Sequence, residues 1–133
     1  MLISNAINPL NSCKFDCYIS PRYDSGFFAV STGNYYTKTH NLNMSLSFPL
    51  RYIIYFSVVS APVLGTNIIM DITGETVGND GFYLCIKDAN NIVIKTSIGY
   101  VANVINPYST TTDGVAPISY TAFTSGYYKI LLY

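Results

Sequence analysis

Phe82-Tyr83-Leu84-Cys85-Ile86-Lys87 and Ile92-Val93-Ile94-Lys95-Thr96-Ser97-Ile98, joined by Asp88-Ala89-Asn90-Asn91, decide the fold. Each arm is rich in β-branched and aromatic residues, and the connection holds the Asp and Asn that favour turns. The stretch predicts a β-hairpin with a four-residue loop built on a type I turn.

Period-two patterning continues on both sides of the hairpin. Leu42, Met44, Leu46 and Phe48 alternate with Asn43, Ser45 and Ser47, and so predict a half-buried strand ending at Pro49. Leu50 to Ser60 is apolar in both registers, as in a strand covered on both faces. Asn67 to Thr73 reads as a further strand, closed by the Gly74-to-Gly81 loop. Cys13 to Ile19, Phe27 to Thr32, Ser119 to Phe123 and Tyr127 to Tyr133 complete the set. Only Ile98, Val101, Ala102 and Ile105 fit helical spacing, which predicts one short helix before Pro107. Eight or nine strands with regular turn signals predict an all-β chain: a single antiparallel sandwich over residues 1–133, jelly-roll-like.

Charge is scarce. Seven acidic and seven basic residues serve 133 positions, 11% of the chain, with a net charge of zero; ordinary domains hold about 25%. A folded monomer of this size has roughly 500 Å² of surface per charge. Half the residues are apolar, and the aromatic set is 13 Tyr and 7 Phe with no Trp. A surface so poor in charge, with no net repulsion between copies, fits one that other protein covers. Balanced charge without a Lys/Arg run argues against nucleic acid. The longest apolar stretch, Tyr52 to Leu64, is broken by Ser57, Ser60 and Pro62 and falls short of the roughly 20 residues a membrane helix needs. Met1 to Pro9 has neither a basic start nor a long apolar run, so no secretory signal is expected.

Chemical constellations are sparse. Cys13, Cys17 and Cys85 read as buried thiols behaving as small apolar side chains, with a Cys13–Cys85 or Cys17–Cys85 bridge as the alternative. With a single histidine and no CxxC pair, no metal or cofactor is expected. His40, in Lys38-Thr39-His40-Asn41, has no nucleophile motif beside it, and its bland reading is a surface or structural histidine. Asp71, among Ile68, Ile69, Met70 and Ile72, reads as a partly buried carboxylate. Asp71, Glu75 and Asp80 match no standard calcium loop and read as a polar turn. Asn43-Met44-Ser45 matches a glycosylation acceptor but falls mid-strand and reads as chance. No enzymatic role is expected.

The tyrosines remain, since Tyr joins a large apolar area to a polar tip. The expected function is a structural assembly protein, a small virion component (capsid, decoration or spike subunit) assembled in the host cytoplasm. It would act on copies of itself or on other virion proteins. The expected interface is Tyr52, Ile53, Tyr55 and Val59 on the two-faced strand, with Tyr127, Tyr128, Leu131 and Tyr133 on the last. The alternative is a carbohydrate-binding module whose Tyr35, Tyr36 and Tyr108 contact a glycan.

Overall fold

The computed structural model describes residues 20–47, 50–74, 80–105 and 120–133. Nine strands follow in chain order: β1 (Tyr23–Ser31), β2 (Tyr35–Thr39), β3 (Tyr52–Ser57), β4 (Ile69–Asp71), β5 (Phe82–Asp88), β6 (Asn91–Thr96), β7 (Ala102–Ile105), β8 (Tyr120–Phe123) and β9 (Ser125–Leu132). They form a four-stranded sheet of order β1-β9-β3-β4, a three-stranded sheet of order β2-β6-β5, and the β7-β8 ribbon. Every strand pairing within these sheets is antiparallel. The architecture is all-β and sandwich-like, as the alternation predicts.

The core lies between the inward faces. Ile54 and Phe56 of β3 and Tyr128, Ile130 and Leu132 of β9 meet Phe82, Ile92 and Ile94 from the other large sheet, with Val101, Ala102 and Val104 closing one end. Aromatic rings join the layers: Phe28 lies 5.9 Å from Tyr36, and Phe82 lies 5.9 Å from Tyr128. Ring pairs at such separations add about 0.5–1.5 kcal/mol each beyond the area they bury.

The hairpin forms, but with a tighter connection than expected. β5 runs to Asp88 and β6 begins at Asn91, leaving Ala89 and Asn90 as the turn. Asp88 Oδ1 accepts from the Asn90 N–H at 2.9 Å and from Asn91 Nδ2 at 2.8 Å. One carboxylate therefore satisfies the turn, and no further loop residues are needed.

Three expectations are corrected. The strand expected at Leu42–Phe48 does not form over residues 42–47: Asn41 (φ 56°) and Asn43 (φ 49°) adopt left-handed backbone, which Asn tolerates better than other side chains. The segment instead straps the hairpin turn, with the His40 N–H on Asn90 O at 2.8 Å and the Met44 N–H on Ala89 O at 2.7 Å. Residues 98–105 do not form a helix. Ala102 and Val104 point inward on β7, which pairs with β8, and the β-branched Val101, Val104 and Ile105 suit a strand better than a helix. Cys85 is an exposed free thiol and not a buried one. The strand expected at Cys13–Ile19, with Cys13 and Cys17, lies outside the described residues, as do Phe48 and Glu75.

Gly126 shows how closely β9 and β3 pack side by side in the four-stranded sheet. It occupies an inward position of β9, where an added Cβ would overlap the Phe56 ring and lie 2.6 Å from its Cζ. Gly126→Ala is expected to destabilise the fold by about 1–3 kcal/mol, as overpacking does. The check is a lowered midpoint in urea unfolding; an unchanged midpoint would contradict the packing.

Candidate functional site

Strand register decides which side chains share an outer face, because partners directly opposite in an antiparallel pair point the same way. On the four-stranded sheet Ile53 opposes Leu131, Tyr55 opposes Lys129, and Ser57 opposes Tyr127. On the other flank of β9, Asp24 opposes Leu131 and Phe27 opposes Lys129. These last pairings depend on a bulge. β9 takes two steps between Leu131 and Lys129 while β1 takes three between Asp24 and Phe27. Gly26 (φ 64°) supplies the left-handed residue there, and its N–H reaches Asp24 Oδ1 at 2.8 Å. Three regular strand steps would point Asp24 and Phe27 to opposite faces; the bulge brings them to the same one.

One cross-strand row of this face is therefore Phe27–Lys129–Tyr55–Asp71. Lys129 Nζ sits 5.7 Å from the Phe27 ring centroid and 3.1 Å from Asp24 Oδ2. The pair is part-exposed, and such pairs contribute only about 0–1 kcal/mol. Its larger effect is to cancel two charges on a face that also carries the exposed Asp71 carboxylate. Asp71 is exposed, not partly buried as expected, and its Oδ1 accepts from the Thr73 N–H at 2.9 Å.

The three-stranded sheet repeats the arrangement. Tyr35 opposes Lys95 and Lys95 opposes Tyr83, with Thr37–Val93–Cys85 as the next row outward. Tyr35 is 69% and Tyr83 52% exposed, and Lys95 Nζ lies 4.8 Å from the Tyr35 centroid. Lys38, on the inward side of β2, places its ammonium 3.6 Å from the Phe28 centroid. Burial holds its pKa below the usual lysine range. Three lysines among the described residues are thus sheathed by aromatic rings, each contact worth about 0.5–2 kcal/mol.

The structure brings four of the expected interface residues together: Ile53, Tyr55, Tyr127 and Leu131 share the outer face of the four-stranded sheet, each half-buried. Tyr52 points to the opposite side, opposing Leu132 and packing on the core. Val59 follows β3 in a bend, its N–H on Ser57 Oγ at 3.1 Å. Tyr133 follows β9 and is tied to Arg51 O through its N–H and to Arg22 Nη2 through its carbonyl. Tyr128 is a correction: it is fully buried and belongs to the core. Of the expected glycan contacts, Tyr35 is exposed. Tyr36 is half-buried with its hydroxyl accepting the Ser31 N–H at 2.8 Å, and Tyr108 lies outside the described residues. Phe27, Tyr83, Lys95 and Lys129 were not singled out from sequence. The parity of the hairpin places Tyr83 and Lys95 on one face, but the bulge that aligns Phe27 with Lys129 has no comparable signal beyond Gly26.

His40, expected as a surface or structural histidine, is buried, which removes the surface alternative. Its Nδ1 accepts the Leu42 N–H at 3.1 Å, which puts the ring proton on Nε2, an atom with no hydrogen-bond partner among the described residues. The edge of the Tyr23 ring packs nearby, with centroids 6.1 Å apart. Burial lowers the His40 pKa; the Asp88 carboxylate opposes that shift and Arg22 reinforces it. No nucleophile is joined to it, and among the described residues no cluster of three His, Cys, Asp or Glu side chains could hold a metal. No helix among the described residues is long and apolar enough to cross a membrane. No known protein-family model matches the chain, and no curated protein matches it.

The histidine gives a pH prediction. Its folded pKa lies below that of the unfolded chain, so neutral His40 contributes full stability above about pH 6.5. That stability declines as pH falls through the unfolded value toward the folded one. Urea midpoints measured from pH 7.5 down to 5.5 should fall for the wild type. They should stay flatter for His40→Asn, whose Oδ1 can replace the Nδ1 acceptor without titrating. Equal slopes would rule His40 out as the source.

Proposed function

We propose that this chain is a structural assembly protein that works by burying its outer sheet faces against copies of itself or other subunits. The observation that carries the reading is the repeated row: each large sheet places a lysine between aromatic residues of both neighbouring strands, Phe27–Lys129–Tyr55 and Tyr35–Lys95–Tyr83. Such a face keeps hydrogen-bonding tips while leaving few charges to desolvate on contact, and buried unpaired charge is what makes association costly. A contact of ordinary size buries about 1,200–2,000 Å² in total.

Within that class we propose a small virion component, a capsid, decoration or spike subunit assembled in the host cytoplasm. The support is the short all-β chain, the sparse charge and analogy at the level of fold. The exposure of Tyr35 and Tyr83 supports a second reading, in which they stack on sugar rings of a glycan.

Light scattering over a rising concentration series tests the proposal. The expected result is a multiple of the 14.7 kDa chain mass. Tyr55→Asp and Tyr83→Asp should shift the equilibrium toward single chains with the far-ultraviolet strand signal intact. A carboxylate left unpaired in a contact costs about 2–5 kcal/mol, roughly 30-fold to several-thousand-fold in affinity. A wild-type chain that stays single at every concentration would overturn self-assembly. A sugar-dependent change in tyrosine fluorescence, lost in Tyr35→Ala, would favour the glycan reading.

A further inference from the structure

The edge of the three-stranded sheet at β5 is the feature the assembly reading leaves unspecified. Among the described residues β5 has a strand on one side only, β6. Its start is engaged elsewhere: Phe82 is buried, and the preceding Gly81 N–H donates to Tyr100 O at 2.9 Å. From Tyr83 onward the strand is exposed at every position but Leu84, which is half-buried. Regular pairing with β6 continues through Ile86, and a bulge follows before Asp88. Proteins blunt a bare edge with charged side chains such as lysine, with proline, inward charge, an early bulge or a covering loop; the one charge in this run, Lys87, lies at its end. The run Tyr83–Lys87 has no proline, and its irregularity comes only at the far end.

Cys85 is the midpoint of that run. Antiparallel self-pairing about Cys85 sets Tyr83 opposite Lys87 of a second copy, on both sides of the two-fold axis. That repeats the lysine–aromatic pairing found at Tyr35–Lys95 and Phe27–Lys129. The same register sets Leu84 opposite the second copy's Ile86, two apolar side chains on the inward side; Ile86 is 44% exposed in the single chain. A groove of about 350 Å³ flanks the same edge, lined by Met44, Leu46 and Ile86 together with Lys87 and Asp88; Leu46 is 92% exposed. A second copy of the strand supplies partners for the N–H and C=O groups of this edge that no described strand pairs, with the two Lys87 ammonium groups held two positions from the axis.

We infer that β5 pairs antiparallel with β5 of a second copy about a two-fold axis at Cys85, joining two three-stranded sheets into one of six strands. The inference rests on the assembly reading and names its partner, a second copy of this chain, and its register. Side chains directly opposed in an antiparallel pair have Cβ atoms about 4.5–5.5 Å apart, so the two Cys85 thiols are within reach of a short bis-maleimide.

The experiment cross-links the full wild-type chain with that reagent at a concentration where light scattering shows a multimer, then maps linked peptides by mass spectrometry. Each chain has one Cys85, so a Cys85–Cys85 link joins two copies. The expected result is that link in high yield, with background yield when the thiol is moved to the other edge strand by Cys85→Ser with Thr37→Cys. Cys85→Lys, which opposes two ammonium groups at the axis, should raise the dissociation constant about tenfold or more while strand content is kept. A multimer without the Cys85–Cys85 link, or one whose mass Cys85→Lys leaves unchanged, overturns the β5 pairing and leaves the assembly reading standing. A single-chain mass at every concentration overturns both.

Discussion

The Tyr128 hydroxyl donates to the Val101 carbonyl across 2.5 Å inside a fully buried core, and the sandwich is organised around that contact. The ring meets Phe28 of β1, Phe56 of β3 and Phe82 of β5, with centroids 5.9–6.4 Å apart. One side chain thus touches two strands of its own sheet and one of the facing sheet, and its hydroxyl reaches the residue before β7. An apolar ring would pack in the same space but leave the Val101 carbonyl buried without that donor, at a cost of about 1–3 kcal/mol. Gly126, two residues earlier on the same side of β9, leaves the room that the Phe56 ring occupies beside it.

With that core fixed, the outer faces follow from parity and one bulge. β9 turns Tyr128, Ile130 and Leu132 inward, so Tyr127, Lys129 and Leu131 face out. The extra residue in β1 then delivers Asp24 and Phe27 to the same side as Lys129. On these outer faces Lys95 and Lys129 hold their ammonium groups near the Tyr35 and Phe27 rings, whose quadrupoles attract the charge.

Alternation in the sequence was enough to find the hairpin, the two-sided strand β3 and the last strand β9, because each is long and bounded by turn residues. It misled at residues 42–46. There the apolar spacing is real, but Asn41 and Asn43 turn the backbone left-handed and their neighbours bond to the hairpin turn, a tertiary effect outside any local window. It misled at Ile98–Ile105 because the helical set Ile98, Val101, Ala102 and Ile105 leaves out Val104, which with Ala102 forms the inward period-two pair of β7. Tyr127 and Tyr128 are chemically alike in sequence; only register shows that one faces out and the other anchors the core. Strand order was not legible, since nothing local says that β9 lies between β1 and β3. The same gap hid the Phe27–Lys129 neighbourhood, whose members are about a hundred positions apart.

The position of β9 has a kinetic consequence. It is the ninth strand in chain order and yet the second in its sheet, between the first and the third. During synthesis β1 and β3 therefore emerge without the strand that bonds to both. The four-stranded sheet cannot close until residue 132 is free of the ribosome. Until then the edges of β1 and β3 and the inward faces of Phe28, Ile54 and Phe56 have no permanent cover. Pairings of such long sequence separation fold slowly, in the millisecond-to-second range typical of β-sandwiches. The nascent chain thus spends its vulnerable period with open strand edges, in a sequence whose net charge offers no repulsion to keep neighbouring chains apart.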